Sequence, residues 1–259
     1  MPIIYLSPST QDWNQYVTGS GSEEQSMNLL ADDLTPYLLA SGIRWKRNRP
    51  TMTAASSIQE SNAGQYDLHL ALHSNASGED AYGKNRGILV FYYPGSVQGK
   101  RAAELIAEEL RKIYPLPQRV AIRATTSLGE VRRSRAPAVL AEIGYHDNYA
   151  DAHWIEGHRE DIAQQLARAL TTYFDLPFIS PRPPVRGEVA VERGGTLYLR
   201  SAPSHSAEIL ARLPDRAELT IYGEWEGWYV VHWGDLVGYA AAAYIDTVGA
   251  PEGVRTGPA

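Results

Sequence analysis

The stretch PAVLAEIGYHDN, residues 137–148, decides the fold. It opens with an unbroken apolar run, which predicts a strand over residues 136–143 that is buried on both faces. The run ends at a carboxylate, Glu142, which is costly to desolvate unless it has a partner. Because sites in such sheets lie beyond the carboxyl ends of the strands, Glu142 is a candidate metal ligand or proton-transfer group. A loop-bracing or helix-capping carboxylate is the alternative.

Outward from this stretch, strand-like and helix-like segments alternate over about the first 175 residues. Apolar runs predict further strands at 2–6, 66–73 and 87–93, and helical spacing predicts helices at 22–40, 99–113 and 159–174. Ser22 and Gln25 can form a capping box at the start of the first helix. Strands without polar alternation, separated by helices, indicate an α/β fold whose mostly parallel sheet has helices on both faces.

The composition then changes at residues 177–187, which contain four prolines and predict a semi-rigid linker. Short strands with turn signals follow at 196–200, 217–222, 228–233 and 236–240, which predicts a small all-β barrel. The sequence therefore predicts a catalytic domain at 1–176, the linker, a barrel at 188–246 and a flexible tail at 247–259.

Composition excludes several kinds of site. The chain has no cysteine, so disulfides, thiolate metal ligands and cysteine nucleophiles are absent. The net charge is −6 and no basic stripe is present, which argues against a nucleic-acid partner. No run of about 18 apolar residues exists, so no membrane span is expected. The opening residues MPIIYL lack the features of a signal peptide.

Two further stretches carry candidate groups. His73 ends a predicted strand and is followed by Ser-Asn-Ala, a position suited to a site, although a hydrogen-bonded structural histidine explains it equally well. Glu23 and Glu24 open the first predicted helix, where acidic side chains also suit the helix dipole alone.

Taken together, these stretches resemble the zinc-dependent N-acetylmuramoyl-L-alanine amidases of the family-3 type. The strand ending at His73, the LAEIGY stretch around Glu142, and Glu24 placed four residues before Asn28 resemble that family's motifs, in the same order. The resemblance implies cleavage of the amide between N-acetylmuramic acid and the stem-peptide L-alanine, with bacterial peptidoglycan as the substrate. It also implies that Glu24 and His73 bind Zn²⁺ and that Glu142 is the general base.

One family feature is missing. A histidine usually ends the first strand of these amidases, whereas LSPSTQ at residues 6–11 holds none and Thr10 takes about its place. His146, just past the strand end, is our predicted replacement ligand. His69 shares a strand face with His73 but lies about 13 Å along it, too far to share one metal. We therefore expect His69 to be structural.

The C-terminal stretches LYLRSAP, GWYVV and GYA resemble bacterial SH3-like domains, which implies binding to the cell wall. The predicted substrate contacts are Asn75 and Arg123 in the catalytic domain and the aromatic residues Trp225 and Tyr239 in the barrel. Trp228 and Val230 are expected in the core of the barrel.

Two other functions stay open at this point. The missing histidine is compatible with a wall-binding or regulatory protein whose catalytic domain has lost its metal. A zinc peptidase that acts on stem peptides would use the same sheet. The combined motifs favour the amidase, and we expect it to act on the cell wall, either outside the cell or as a released lysin.

Overall fold

The computed structural model describes residues 1–247. The chain forms two compact units, each with its own sheet. The larger unit consists of Pro2–Pro36 and Trp45–Asp175, and the smaller unit contains Met1, Tyr37–Arg44 and the described residues from Leu176 to Thr247. No helix within the described residues is long and apolar enough to cross a membrane.

The first sheet has six strands, four of which the sequence predicted. They are β1 (Ile3–Pro8), β2 (Arg44–Arg47), β3 (Leu68–Asn75), β4 (Ile88–Tyr92), β5 (Val120–Ala124) and β6 (Ala138–Tyr145). Their order is β2-β1-β3-β6-β4-β5. β3 pairs in parallel with both β1 and β6, β4 is parallel to β5, and β4 runs antiparallel to β6. The predicted mostly parallel sheet is confirmed, and its antiparallel pairing is that of β4 with β6.

Six helices accompany this sheet. They are α1 (Glu23–Ala40), α2 (Ala54–Ala63), α3 (Val97–Arg111), α4 (Gly129–Arg133), α5 (Tyr149–Gly157) and α6 (Arg159–Tyr173). The predicted capping box starts α1, because Ser22 Oγ accepts from the Gln25 backbone N–H and Gln25 Oε1 accepts from the Ser22 N–H, both at 3.2 Å. The cap fixes where the helix begins and therefore which acidic residue of its first turn faces the sheet.

The register of the central strands brings the predicted residues to one edge. In the parallel pairing of β3 with β6, His73 lies beside Glu142. Just beyond, the His146 backbone N–H donates to the Asn75 carbonyl over 2.9 Å. The apolar residues that precede these positions, such as Leu72 and Ala141, are completely buried. Hydrophobic burial therefore fixes the strands, and their carboxyl ends carry the polar groups.

The second sheet has seven strands, and all of its pairings are antiparallel. They are β7 (Val185–Val189), β8 (Thr196–Arg200), β9 (Ile209–Pro214), β10 (Glu218–Trp225), β11 (Trp228–Trp233), β12 (Leu236–Ala241) and β13 (Ile245–Thr247). The predicted all-β region is confirmed, although β7 begins inside the predicted linker. The predicted tail after Thr247 lies outside the described residues.

Candidate functional site

His73 lies at the centre of a row of buried charged groups. Its Nδ1 lies 2.8 Å from Glu23 Oε1, and its Nε2 lies 3.1 Å from Glu130 Oε2. Burial by itself lowers the pKa of His73, but hydrogen bonds and negative charge from Glu130 and Glu23 raise it well above its ordinary value. His73 is therefore held as a charged imidazolium between two carboxylates.

Glu130, on the short helix α4, is the member of this row that the sequence did not reveal. Its Oε1 accepts from Ser7 Oγ at 2.5 Å and lies 3.2 Å from His69 Nε2, while Oε2 meets His73. Burial raises the pKa of Glu130, but the hydrogen bonds of His69 and His73 and their charges lower it well below the usual carboxyl range. In the sequence Glu130 stands in GEVRR, where it has the pattern of an ordinary surface residue of a charged helix.

His69 has the structural surroundings that its position predicted. It is completely buried, its Nδ1 lies 2.9 Å from Ser61 Oγ, and its ring stacks on Tyr5. The two oxygens of Glu130 separate the two histidines, because each ring contacts a different oxygen. His69 thus holds Glu130 Oε1 in place, while Oε2 contacts His73.

The acidic residue of α1 that contacts His73 is Glu23, whereas the prediction was its neighbour Glu24. Glu23 is 1% exposed and contacts His73, and its Oε2 accepts from Asn14 Nδ2 at 2.7 Å. Burial raises the pKa of Glu23, but the hydrogen bond of His73 helps to lower it overall. Glu24 instead accepts from Asn28 Nδ2 at 3.1 Å. Neighbouring helix residues point about 100° apart, so only one of the two can face the sheet edge.

Glu142 completes the site in the last half of β6. Its Oε2 is buried and has no hydrogen-bond partner among the described residues. Burial raises the pKa of Glu142 to about 7; the negative charges of Glu23 and Glu130 add to the rise, and His73 opposes it. A carboxylate with this pKa is suited to take and return a proton near neutral pH.

Comparison with known proteins shows the family of this chain. A family model for N-acetylmuramoyl-L-alanine amidases matches residues 10–172, more than half of the chain. The chain belongs to the N-acetylmuramoyl-L-alanine amidase family. A bacterial SH3 domain model matches residues 195–246, which include most of the second sheet. The chain is therefore a peptidoglycan amidase with a C-terminal bacterial SH3 domain.

Individual relatives of this amidase are distant in sequence. The YqiI protein of Bacillus subtilis strain 168 is 21% identical over 179 residues, which cover 66% of this chain and 84% of YqiI. The amidase AmiC2 of Nostoc punctiforme is 15% identical, with a TM-score of 0.59, and the match covers 67% of this chain and 97% of AmiC2. The catalytic domain of CwlV from Bacillus (Paenibacillus) polymyxa var. colistinus is 16% identical, with a TM-score of 0.58, over 68% of this chain and 100% of that domain. These solved structures share the fold.

Amidases of this family are generally zinc-dependent, and the residues of this amidase fit a zinc ion poorly. Catalytic zinc sites usually have three protein ligands drawn from histidine and carboxylate side chains. Residues 1–247 contain no group of three or more such side chains that could hold a metal. Glu130 meets the other ring nitrogen of His73, and the group beside His73 Nδ1 and Glu23 is the amide of Gln11, whose Nε2 is 3.4 Å from His73 Nδ1. Amides are weak ligands for zinc. The Zn²⁺ prediction rests on the family alone.

His146, the predicted replacement ligand, is engaged elsewhere. It is 5% exposed, and its ring stacks on Tyr16. Its Nδ1 lies 2.9 Å from the Ser74 carbonyl, which can only accept, so Nδ1 carries the proton and donates. The structure therefore does not bring Glu24, His73 and His146 into one metal-binding group.

The other predicted contacts are dispersed. Asn75 ends β3 close to the site, where its Oδ1 accepts from the Ala76 N–H at 2.8 Å. Arg123 is exposed on the edge strand β5, and β4 lies between it and β6. Trp225 is 38% exposed at the end of β10. All three stay predicted contacts.

Tyr239 differs from its predicted role. The ring is completely buried, and its hydroxyl donates to the Ser41 carbonyl over 3.0 Å. A side chain without exposed surface has none to offer to a wall polymer, so Tyr239 belongs to the core of the smaller unit. Trp228 and Val230, which were predicted to be core residues, are buried in the same cluster.

Proposed function

We propose that this amidase hydrolyses the amide bond between N-acetylmuramic acid and the L-alanine of the stem peptide in bacterial peptidoglycan. The observation that carries the proposal is the environment of Glu142. This carboxyl has a pKa of about 7, lies at the carboxyl end of β6 and is next to His73 in the sheet. Its position and its basicity match what amide hydrolysis requires.

In the proposed reaction, Glu142 acts first as a base and then as an acid. Its carboxylate takes a proton from a water molecule as the water oxygen bonds to the amide carbon. It then gives the proton to the alanine nitrogen as the carbon–nitrogen bond breaks, which releases a carboxylic acid and a free amine. With a pKa of about 7, the group is present in both protonation states near neutral pH, so it can accept the proton in the first transfer and donate it in the second.

The charged side chains of Glu23, His73 and Glu130 are held in fixed positions beside Glu142. Each ring nitrogen of His73 is hydrogen-bonded to a carboxylate, so the ring can neither flip nor rotate without breaking a charge-assisted hydrogen bond. The imidazolium partly offsets the charges of the two carboxylates that raise the pKa of Glu142. Burial is the largest cause of the raised pKa of Glu142, and the charges of the row adjust that pKa further.

The SH3 domain is proposed to hold the enzyme on its polymer. A second, weak attachment raises the local concentration of cleavable bonds without a tighter active site. Trp225 is the exposed aromatic residue through which we expect wall contact. Action of the enzyme outside the cell or as a released lysin follows from the substrate.

The test is digestion of purified peptidoglycan sacculi by the full chain, with products identified by mass spectrometry. We expect free stem peptides that begin with L-alanine, together with intact glycan chains. Glu142→Gln should reduce their release by about a thousandfold, within the range for loss of a general acid–base group. Glu208→Gln changes an exposed glutamate in the other domain and is the matched control.

The alternatives give other products. A zinc peptidase would release fragments that begin within the stem peptide. A wall-binding protein without catalysis would release nothing, and Glu142→Gln would then behave like the wild type. Either result would overturn the proposal.

A further inference from the structure

The side chain of Gln11 lies at the point where His73 and Glu23 meet. Its Nε2 is 3.4 Å from His73 Nδ1, and the same ring nitrogen is 2.8 Å from Glu23 Oε1. Gln11 and His73 line one cavity together with Thr10 and Glu130. Because this cavity is open to solvent, an ion can reach His73, and what it finds beside Nδ1 is the carboxylate of Glu23 and the amide of Gln11.

His73 has one ring nitrogen at which a metal could bind. Its Nε2 lies 3.1 Å from Glu130 Oε2. In metal sites, the ring nitrogen that does not bind the metal donates to a carboxylate in this way. Glu130 therefore has the position of an outer partner, and Nδ1 has the position of a ligand. Catalytic zinc takes three protein ligands, and at this point His73 and Glu23 supply two. Gln11 occupies the third position.

Asn14 determines which end of the Gln11 amide faces His73. Its Nδ2 donates to Glu23 Oε2 at 2.7 Å and to Gln11 Oε1 at 3.2 Å. Because a carboxylate oxygen only accepts, Asn14 must direct its nitrogen toward Glu23, and Gln11 must direct its oxygen toward Asn14. The reversed amide would place two NH₂ groups against each other. The NH₂ group of Gln11 is therefore the end that faces His73 Nδ1.

Backbone hydrogen bonds hold the loop that carries Gln11 against the start of α1. The Glu23 N–H donates to the Asn14 carbonyl over 2.8 Å, and the Glu24 N–H donates to the Gln11 carbonyl over 3.4 Å. These donors belong to the first turn of the helix, whose N–H groups have no partners within the helix. The loop is thus attached to the element that carries Glu23, so the amide keeps its place beside the site.

We propose that Gln11 replaces a metal ligand and that this amidase retains no zinc at His73 and Glu23; the proposal rests on the proposed function for placing the reaction at this edge of the sheet. Resonance delocalises the electron pair of an amide nitrogen, so the NH₂ group donates hydrogen bonds and does not bind metals. Its partly positive hydrogens also repel a cation. Zinc dependence, which is general in the family, is therefore not expected of this chain.

The test is the zinc content of the full chain, measured by elemental mass spectrometry after incubation with excess zinc and removal of unbound metal by gel filtration. The wild type should retain less than about 0.1 zinc per chain, since two protein ligands are too few. Gln11→His should retain about one zinc per chain, because the imidazole completes a set of three. Gln15→His is the matched control, because Gln15 is exposed and its Nε2 donates to the Asp12 carbonyl instead.

A second variant keeps the test decisive if a histidine does not fit the loop. Gln11→Glu supplies a carboxylate in place of the ring and should also retain zinc. Far-UV circular dichroism checks that each variant is folded. About one zinc per chain in the wild type would overturn the proposal. Zinc at the wild-type level in folded Gln11→His and Gln11→Glu would overturn it as well, since Gln11 would then not be what prevents binding.

A chelator distinguishes a failure of this proposal from a failure of the proposed function. Digestion of sacculi by the wild type should be unchanged by EDTA. If EDTA stops the release of peptides that begin with L-alanine and added zinc restores it, the metal-free site is wrong and the amidase reaction stands. If the wild type retains no zinc and releases no such peptides, with or without added zinc, the metal-free site stands and the proposed reaction is wrong.

Discussion

The two sheets of this chain differ in whether charged side chains are buried next to them. Among the buried residues of the larger unit are Glu23, Glu130, His69, His73 and Asp151. Within the described residues 185–247, which form the second sheet, every buried residue is apolar or a glycine. Both sheets have ordinary hydrophobic cores, so the fold did not require the buried charges of the first.

Buried charges lower the stability of a fold unless they are fully paired. The larger unit, which contains them, is therefore less stable than the same fold with an apolar interior would be. In the larger unit the costly groups gather at the carboxyl ends of β3 and β6, around His73 and Glu142. The SH3 domain exposes its polar groups, as a binding module can, because its ligands are met on the surface. The buried charge thus separates the region that performs chemistry from the region that binds.

The largest expected effect is on the stability of the larger unit. Glu130→Ala removes the partner of Ser7, His69 and His73 and leaves a buried imidazolium half-paired. We expect a loss of about 3–5 kcal/mol in the free energy of unfolding, measured by urea denaturation. Glu188→Ala, which changes a β7 glutamate with a side chain 40% exposed, should change it by less than about 1 kcal/mol. A loss below 1 kcal/mol for Glu130→Ala would remove the contrast between the two sheets.

The next effect tests whether Glu142 lowers stability. Its folded-state pKa of about 7 lies above the ordinary 4.5, so the folded protein binds this proton more tightly than the unfolded chain. The penalty is absent below pH 4.5, grows as the pH rises and is complete above pH 7. Glu142→Gln should therefore raise the free energy of unfolding at pH 8 by up to about 3 kcal/mol. At pH 4 the two proteins should be equally stable, and a gain of the same size there would contradict the assignment.

The pH dependence of hydrolysis follows from the same group. The base form of Glu142 is lost as the pH falls through about 7, so the rate should drop about tenfold between pH 8 and pH 6. Release of peptides from sacculi, assayed at constant ionic strength, measures this. A rate that is flat over that range would exclude Glu142 as the base with this pKa.

The smallest effect concerns the SH3 domain. Trp225→Ala should reduce retention on sacculi a few-fold and change the free energy of unfolding by no more than about 0.5 kcal/mol, since its side chain is partly exposed. Leu236→Ala is the control for loss of exposed apolar surface, because Leu236 is 39% exposed. Equal retention of both variants in a co-sedimentation assay would remove Trp225 from the wall-binding surface.

The sequence predicted the parts of the fold that depend on local pattern. The apolar runs that became β3 and β6 and the capping box of α1 were recognisable, because burial and capping have short-range signatures. The strands β2 and β5 and the helices α2, α4 and α5 were missed, since short segments of mixed composition show no clear apolar period. Glu142 and His73 were found because each ends an apolar strand.

Other features of the site depend on contacts far apart in the sequence. Glu130 meets His73 across 57 residues and Ser7 across 123 residues, and no local pattern announces such pairs. The choice between Glu23 and Glu24 depends on the rotation of α1 against the sheet edge. Tyr239 was misjudged because a small domain needs large aromatic residues both inside and outside, and composition alone does not separate them.

The hydrogen bond from the Tyr239 hydroxyl to the Ser41 carbonyl limits where the two domains can be separated. The unit that contains the SH3 domain also includes Tyr37–Arg44, which lies in the segment matched by the amidase family model. In that unit Ala40 packs in one cluster with Trp228 and Tyr239, and Ser41 Oγ accepts from the Ile179 N–H at 3.0 Å. A chimera that joins the SH3 domain to another protein at the boundary between the two family domains would lack Tyr37–Arg44. The transferred domain would then be missing part of its hydrophobic core.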